Sequence, residues 1–441
     1  MAIIIVGLGP GDPNEITRLA WEYLTQAQHI YARTGEHPAL HALPQTVQVD
    51  TFDHIYARAD TFREVYETIA QEVVARAKEE SPLIYAVPGH PRVGEATTPL
   101  IETLAAEQGI PVTVVPGISF VEEVCNAVGL DPLEGLTVYD AMQVAGEHFP
   151  RVNTDFPLLL GQVYSRELAS DVKLTLLAGY HPEHPVTLVR NAGLPDMTIQ
   201  SMPLYRLDQE GIFNHMTTLV VPPWPGPSSY ETFQEVINHL RSPEGCPWDR
   251  KQTHKSLRRY LLEETYEVLE ALDRDDAQAL KEELGDLLIQ IGLHVAIATE
   301  GEEFRFGDVI QHVVEKLIRR HPHVFGDVQV SSAEEVARNW EAIKKQERGE
   351  KPADPFADVP KALPALSRAM VMAKRAHWQP TSPPVALRPE VLQQLREEDL
   401  GDLLFWLAAW ARVEKGWDPE TLLREAIERW IQTTMEDGEA R

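Results

Sequence analysis

LLEETYEVLEALDRDDAQALKEELGDLL, from Leu261 to Leu288, decides how the second half of this chain folds. Its apolar residues recur at helical spacing on both sides of an acidic turn near Asp273 to Asp276, which predicts two helices joined by that turn. Glu264 and Glu267 are three apart, so a helix sets them on one side, roughly 60° apart about the axis. Glu283 and Asp286 repeat the spacing. Leu261, Val268 and Leu272 form the apolar stripe of the first helix, and Glu264 borders it. Leu280, Leu284, Leu287 and Ile291 form the second stripe, bordered by Glu283. An antiparallel pair packed along these stripes brings four carboxylates to one edge of the seam.

Carboxylates gathered in this way repel and resist desolvation. A hard divalent cation resolves the conflict: Mg²⁺ takes oxygen ligands, keeps several waters and is shared with substrate phosphates. A solvated acidic face is the plainer reading of Glu-rich helices. The position of the acids beside the stripe, and not opposite it, favours the metal.

The wording of the stretch, EETYE and then EELGD, resembles the EExxE…ExxD signature of the MazG nucleotide pyrophosphohydrolases. CPWDRKQTHKSL at Cys246 to Leu257, KLIRRHPHVFGD at Lys316 to Asp327 and NWEAIKKQE at Asn339 to Glu347 extend the resemblance over roughly Tyr230 to Gly349. It implies an all-α, Mg²⁺-dependent enzyme that cleaves nucleoside triphosphates to the monophosphate and pyrophosphate. On this sequence the expected metal ligands are Glu264, Glu267, Glu283 and Asp286, with Glu263 assisting an attacking water. Lys255, Lys316, Arg319 and Arg320 are candidate phosphate-binding residues. Trp340 and Lys344, four apart on one helix face, belong by resemblance to the nucleotide pocket.

The chain has 441 residues, a formal charge of −28, 43% hydrophobic residues and two cysteines, Cys125 and Cys246. The length suggests about three domains. So strong an acidic balance argues against a partner that is a nucleic-acid polymer or an acidic membrane, since both need basic surface. Two distant cysteines offer no disulfide framework or zinc spacing, which fits a cytoplasmic protein. MAIIIVG enters a strand and does not read as a signal peptide, and no apolar run is long enough to span a bilayer.

Residues 1–222 alternate apolar runs with helical patterns and predict an α/β domain with mainly parallel strands. Ile3 to Val6, Leu83 to Val87, Val112 to Val115, Leu158 to Leu160, Leu174 to Leu177, Val186 to Arg190 and Thr218 to Val221 read as strands. Thr61 to Lys78 and Pro99 to Gln108 read as helices. Three loops follow strands: GLGPGDP from Gly7 to Pro13, VPGHPRVGE from Val87 to Glu95, and VPGISFVEEV from Val115 to Val124. Ligands in open α/β sheets sit outside such strand ends. Together the loops resemble those of the tetrapyrrole methylases, which hold S-adenosylmethionine between two α/β lobes. The resemblance implies cofactor contacts from Gly7, Gly9, Pro10, Gly11, Asp12, Gly89, Pro116, Gly117 and Ser119. The chain departs from the family's pattern at Gly89-His90-Pro91, where GDP is usual, and at Phe120, where a small hydroxyl residue is common. A methylase, a scaffold and a sensor of another ligand all remain open for this domain.

PPWPGPSSY, Pro222 to Tyr230, reads as a semi-rigid linker across residues 223–230. The helical enzyme module is expected at 231–350. Within it, Cys246 and Trp248 read as packing residues, and His321 and His323 as packing or hydrogen-bonding groups. A degenerate second helical repeat is expected at 351–441. There DLGDLL at Asp399 to Leu404 echoes EELGDLL, but no EExxE survives, so Asp399 and Asp402 make at most half a site. This repeat is expected to cover the apolar side of the first, in cis or across a homodimer. The rival readings are an S-adenosylmethionine-dependent methyltransferase with a helical appendage, and a non-enzymatic nucleotide or interaction module.

Overall fold

Ile3–Gly7 (β1), IIIVG, forms the middle of a sheet because both of its faces are covered. Ile3 and Ile5 enter one fully buried cluster and Val6 and Leu8 another. A continuous β-branched run is the expected mark of such a strand. Arg18–Gln26 (α1), His29–Ala32 (β2), Gln48–Thr51 (β3), Asp53–Tyr56 (α2), Phe62–Arg76 (α3), Leu83–Val87 (β4), Thr97–Glu107 (α4), Val112–Val115 (β5) and Phe120–Val128 (α5) follow. The sheet runs β3-β2-β4-β1-β5, and every pair in it is parallel.

In this computed structural model, which describes residues 1–347, 359–376, 378, 396–423 and 425–426, a second sheet follows. Its elements are Thr137–Asp140 (β6), Ala141–Ala145 (α6), Leu158–Gly161 (β7), Arg166–Leu176 (α7), Pro185–Arg190 (β8), Thr198–Pro203 (β9), Leu207–Glu210 (α8) and Thr217–Val221 (β10). The order is β6-β7-β10-β8-β9, with only β6 and β7 parallel. The expectation of mainly parallel strands therefore holds for the first sheet and fails for the second, where short returns such as that from β8 to β9 suit antiparallel pairs. Leu174 to Leu177 is also not a strand. It ends α7, whose buried residues Leu168, Ala169, Val172, Thr175 and Leu176 follow helical spacing while Leu174 faces out. One face of this second sheet is covered by α7. The other takes Val124 and Cys125 of α5 against Leu159, Val189 and Val220, so a helix from the first lobe completes the second.

Beyond β10, the proline-rich stretch is pinned. His184 Nε2 donates to the Pro222 carbonyl at 2.9 Å, and Trp224 stacks on the His184 ring. The Asp155 carboxylate accepts the backbone N–H groups of Ser228 and Ser229 at 2.7 and 3.1 Å, the Ser229 hydroxyl at 2.6 Å, and the Thr232 hydroxyl. Ser229 in turn caps Tyr230–Arg241 (α9). His254–Asp273 (α10) and Ala277–Glu300 (α11) then fold back on each other beside α9. Their common core is Ile237, Leu257, Leu293 and Ala296. Gly292 lets α9 close in, since a Cβ there would lie 2.8 Å from the Phe233 ring. This first compact unit spans Met1–Phe304.

The second unit begins at Arg305. It holds Phe306–Arg320 (α12), Pro322–Phe325 (α13), Ala333–Glu347 (α14), Ala365–Arg375 (α15) and Glu397–Lys415 (α16), with α15 packed on α16. The anticipated linker after Glu350 lies almost wholly outside the described residues.

Burial alone would raise the Asp155 pKa, but its hydrogen bonds, led by those of Ser229 and Thr232, hold it well below the usual carboxylate range. A depressed carboxylate adds stability above its unfolded pKa, and that stability is lost as pH falls through the folded value. Asp155→Asn should therefore cost about 2 kcal/mol at neutral pH. The deficit should shrink as both proteins are taken into acid, as read by denaturant melts across pH.

Candidate active site

The acidic hairpin is built from its caps inward. Thr253 and Ser256 cap the start of α10 reciprocally, each side chain accepting the other's backbone N–H. At the turn, Asp275 adopts a left-handed φ of 53° and Asp276 caps α11 by accepting the N–H groups of Gln278 and Ala279. The acidic turn is thus a capping device that fixes the register of the two helices.

That register brings Glu264, Glu267 and Glu283 together, with one carboxylate oxygen from each lying within 4.8 Å of the others. Glu264 and Glu283 are half-buried and Glu267 is exposed. Burial pushes the Glu264 carboxyl up to about 7, helped by its hydrogen bond with Glu267 and by the charges of Glu267, Asp286 and Glu263. Burial and the charges of Glu267 and Asp286 raise Glu283 as well. Asp286 is exposed and joins the cluster through its field, outside the group of three. Three converging oxygens and a carboxyl held near neutrality fit a hard divalent cation.

The apolar stripes are only partly covered: Leu272, Leu284 and Ile291 are 53%, 49% and 40% exposed. The buried residues of α11 lie mainly in its second half, where it meets α9. At the start of α10, the Nδ1 atoms of His254 and of His294 on α11 are 2.8 Å apart, so one ring donates and the other accepts. Burial lowers the His294 pKa, and His254 lowers it further. Sequence spacing gave no hint of this pair, forty residues apart. Trp248, expected as packing, is 49% exposed and meets Tyr260 edge-on. It sits on a loop before α10, where few elements are at hand to cover an indole. Cys246 is half-buried and unbridged. Lys255 and Glu263 are exposed on α10.

The other basic and aromatic candidates belong to the unit that begins at Arg305. Arg319 and Arg320 both donate to Glu347, at 2.7 and 2.6 Å. The hydrogen bonds of Arg320 and Arg319 push that carboxyl down to about 2. Lys344 Nζ lies 5.0 Å above the Trp340 ring and Arg320 lies 6.0 Å from it, so these residues form one cationic-aromatic group with Lys316 half-buried nearby on α12. His321 donates through Nδ1 to the Leu317 carbonyl, and its ring meets that of His323. Asp399 is engaged by Arg396.

In the α/β domain the three loops converge. Gly9 exchanges backbone hydrogen bonds with Gly89, and a Cβ on Gly7 would lie 2.6 Å from both Gly117 N and Gly89 O. His37 Nε2 donates to the Gly9 carbonyl at 3.0 Å. A Cβ on Gly11 would lie 2.8 Å from the Leu194 side chain, beside Pro10. Asp12 caps the short turn after the loop, and the Thr17 hydroxyl donates to the Pro116 carbonyl. Ser119 and Glu122 form the capping box of α5.

Residues 252–325 match the family described as MazG nucleotide pyrophosphohydrolase domain, and residues 2–208 match the Tetrapyrrole (Corrin/Porphyrin) Methylases. The chain belongs to the MazG family, in a form that carries a tetrapyrrole methylase domain ahead of the helical module. The protein YabN of Bacillus subtilis is 40% identical over 377 residues, covering 84% of this chain and 76% of that one. The nucleoside triphosphate pyrophosphohydrolase/pyrophosphatase MazG of Thermotoga maritima is 41% identical over 216 residues, 46% of this chain and 83% of its own length. The nucleoside triphosphate pyrophosphohydrolase of Escherichia coli K12 is 40% identical over 215 residues, 44% and 81% of the two chains.

A carboxyl whose pKa is raised in the fold makes the native state bind more protons than the unfolded chain, so stability falls as pH rises from its ordinary value through about 7. In metal-free buffer at pH 8, Glu264→Gln should raise the melting temperature by about 2–4 °C. At pH 5 the two proteins should melt together.

Proposed function

We propose that this chain hydrolyses nucleoside triphosphates to the monophosphate and pyrophosphate at the carboxylate cluster of α10 and α11. The convergence of Glu264, Glu267 and Glu283 carries this reading. The matched MazG domain and the pyrophosphohydrolases named above support it. Glu264, Glu267 and Glu283, with Asp286 at the rim, are the residues that would hold Mg²⁺. When bound, such a cation neutralises phosphate oxygens and lowers the pKa of water. The protein's own part is to keep the acids poised and to move a proton. Glu263, exposed on the same turn of α10, accepts a proton from the water that attacks the α-phosphorus. The α–β anhydride bond breaks and its oxygen leaves with pyrophosphate. Lys255, Lys316, Arg319, Arg320 and Lys344 are the proposed phosphate-binding cations, and Trp340 the stacking surface for the base.

The partly bare stripe of Leu272, Leu284 and Ile291 favours a homodimer as the working form, with a second copy on this face. No helix among the described residues is long and apolar enough to cross a membrane. Methyl transfer by the N-terminal domain would need S-adenosylmethionine in the crevice between its two sheets.

Pyrophosphate release from a panel of triphosphates, with and without Mg²⁺, tests the proposal. Turnover should need the metal and should fall by at least about 100-fold in Glu264→Gln, with the far-ultraviolet spectrum unchanged. Turnover that survives this change would remove the cluster from the chemistry. Arg320→Ala should raise KM for the triphosphate more than it lowers kcat, since binding to phosphate is its assigned role.

A further inference from the structure

The loops that resemble a cofactor site are closed by the chain itself. Phe120 begins α5 in the first lobe, and its ring lies against Gly161 at the end of β7 in the second. A Cβ on Gly161 would lie 2.6 Å from that ring. The same ring is 3.9 Å from a Cβ built on Gly94, in the loop after β4. Its partly buried side packs with Val124, Leu159, Val189 and Val220. One phenyl group thus touches both lobes where a ligand lying between the two sheets would enter.

Neighbouring contacts also join the two lobes beside it. Gln162, at a left-handed φ of 64°, places Nε2 3.5 Å from the Gly94 carbonyl. Leu194 covers Gly11, and Gly193 fits against Pro10 and Glu123 so closely that its Cβ would lie 3.1 Å from Glu123 and 3.3 Å from Pro10. Both backbone groups of Gly9 already pair with Gly89. The glycines that would let a backbone approach a ligand here let one loop approach another. At the second loop His90 Nδ1 accepts the Arg92 N–H at 3.0 Å, so the imidazole is turned into its own turn. An open depression of about 470 Å³ lies over α3 and α4, lined by Arg63, Tyr66, Glu67, Ala96, Pro99 and Leu100.

S-adenosylmethionine combines a flat adenine, a ribose, a sulfonium and a charged amino-acid end. Binding it needs an open slot with free donors and acceptors along its length. We infer that Phe120 seals the crevice between the two sheets against S-adenosylmethionine, so that the N-terminal domain binds the lobes into one body and transfers no methyl group. This inference does not rest on the pyrophosphohydrolase reading, which concerns other elements.

Equilibrium dialysis of the full-length protein against radiolabelled S-adenosylmethionine tests it, with Phe120→Ser and Phe120→Leu alongside. Phe120→Ser vacates the notch at Gly161. Phe120→Leu keeps an apolar group on the second sheet while shortening its reach, which guards against loss of fold, and melting temperature reports that loss. The expected result is no saturable binding by the parent protein, and binding at least tenfold tighter in one of the folded variants. Saturable binding by the parent protein overturns the inference outright. Failure of the parent and of both folded variants overturns the assignment of the seal to Phe120. Pyrophosphate release should stay within twofold of the parent in either variant.

Discussion

The mutual repulsion of Glu264, Glu267 and Glu283 is the condition that the helical hairpin has to withstand. Helices free to slide or rotate would separate the three acids into water, where each would ionise alone. The chain prevents this at both ends of the pair. Thr253 and Ser256 set the first turn of α10, and Asp276 sets that of α11. Ile237, Leu257, Leu293 and Ala296 lock the distal half against α9. Burial first, and then the hydrogen bond and charges of its acidic neighbours, raise the Glu264 pKa. Under the proposed function, a cluster held in this way would take a counter-charge with little rearrangement of the protein.

The same logic separates what the sequence discloses from what it hides. The hairpin was legible because its chemistry is local: acids three apart and an acidic turn where a cap belongs. The strands of the first sheet's middle were legible because burial on both faces demands an unbroken β-branched run. Leu174 to Leu177 misled because four apolar residues, cut from their context, do not show the period of the helix that contains them. The edge strands Gln48–Thr51 and Thr198–Pro203 carry polar residues and no such run. Contacts far apart in sequence left no trace at all. Nothing near Arg319 or Arg320 announces Glu347, and nothing near His254 announces His294. The apolar stripes are plain in the sequence, yet Leu272, Leu284 and Ile291 stay partly bare, because periodicity says only that a face wants cover.

The two sheets of the N-terminal domain show how a site-like sequence can serve packing. Its glycine loops meet backbone to backbone, α5 crosses to cover the second sheet, and Leu194 returns to cover the first loop. Gly7 and Gly117 are required here by mutual crowding, and Gly89 by its left-handed φ of 64°, whatever the domain binds. Resemblance in such loops therefore follows the fold more faithfully than it follows chemistry.

Asp155 has a consequence for the architecture as a whole. Ser229 both starts α9 and binds this carboxylate, so the first helix of the enzymatic module takes its anchor from the α/β body. The proline-rich stretch is then a welded joint and no tether. An exchange of front domains at that point would carry away the fastening of α9, and with it the wall against which α11 is braced. The fusion has thus become a shared piece of carpentry, in which neither partner is merely the other's passenger.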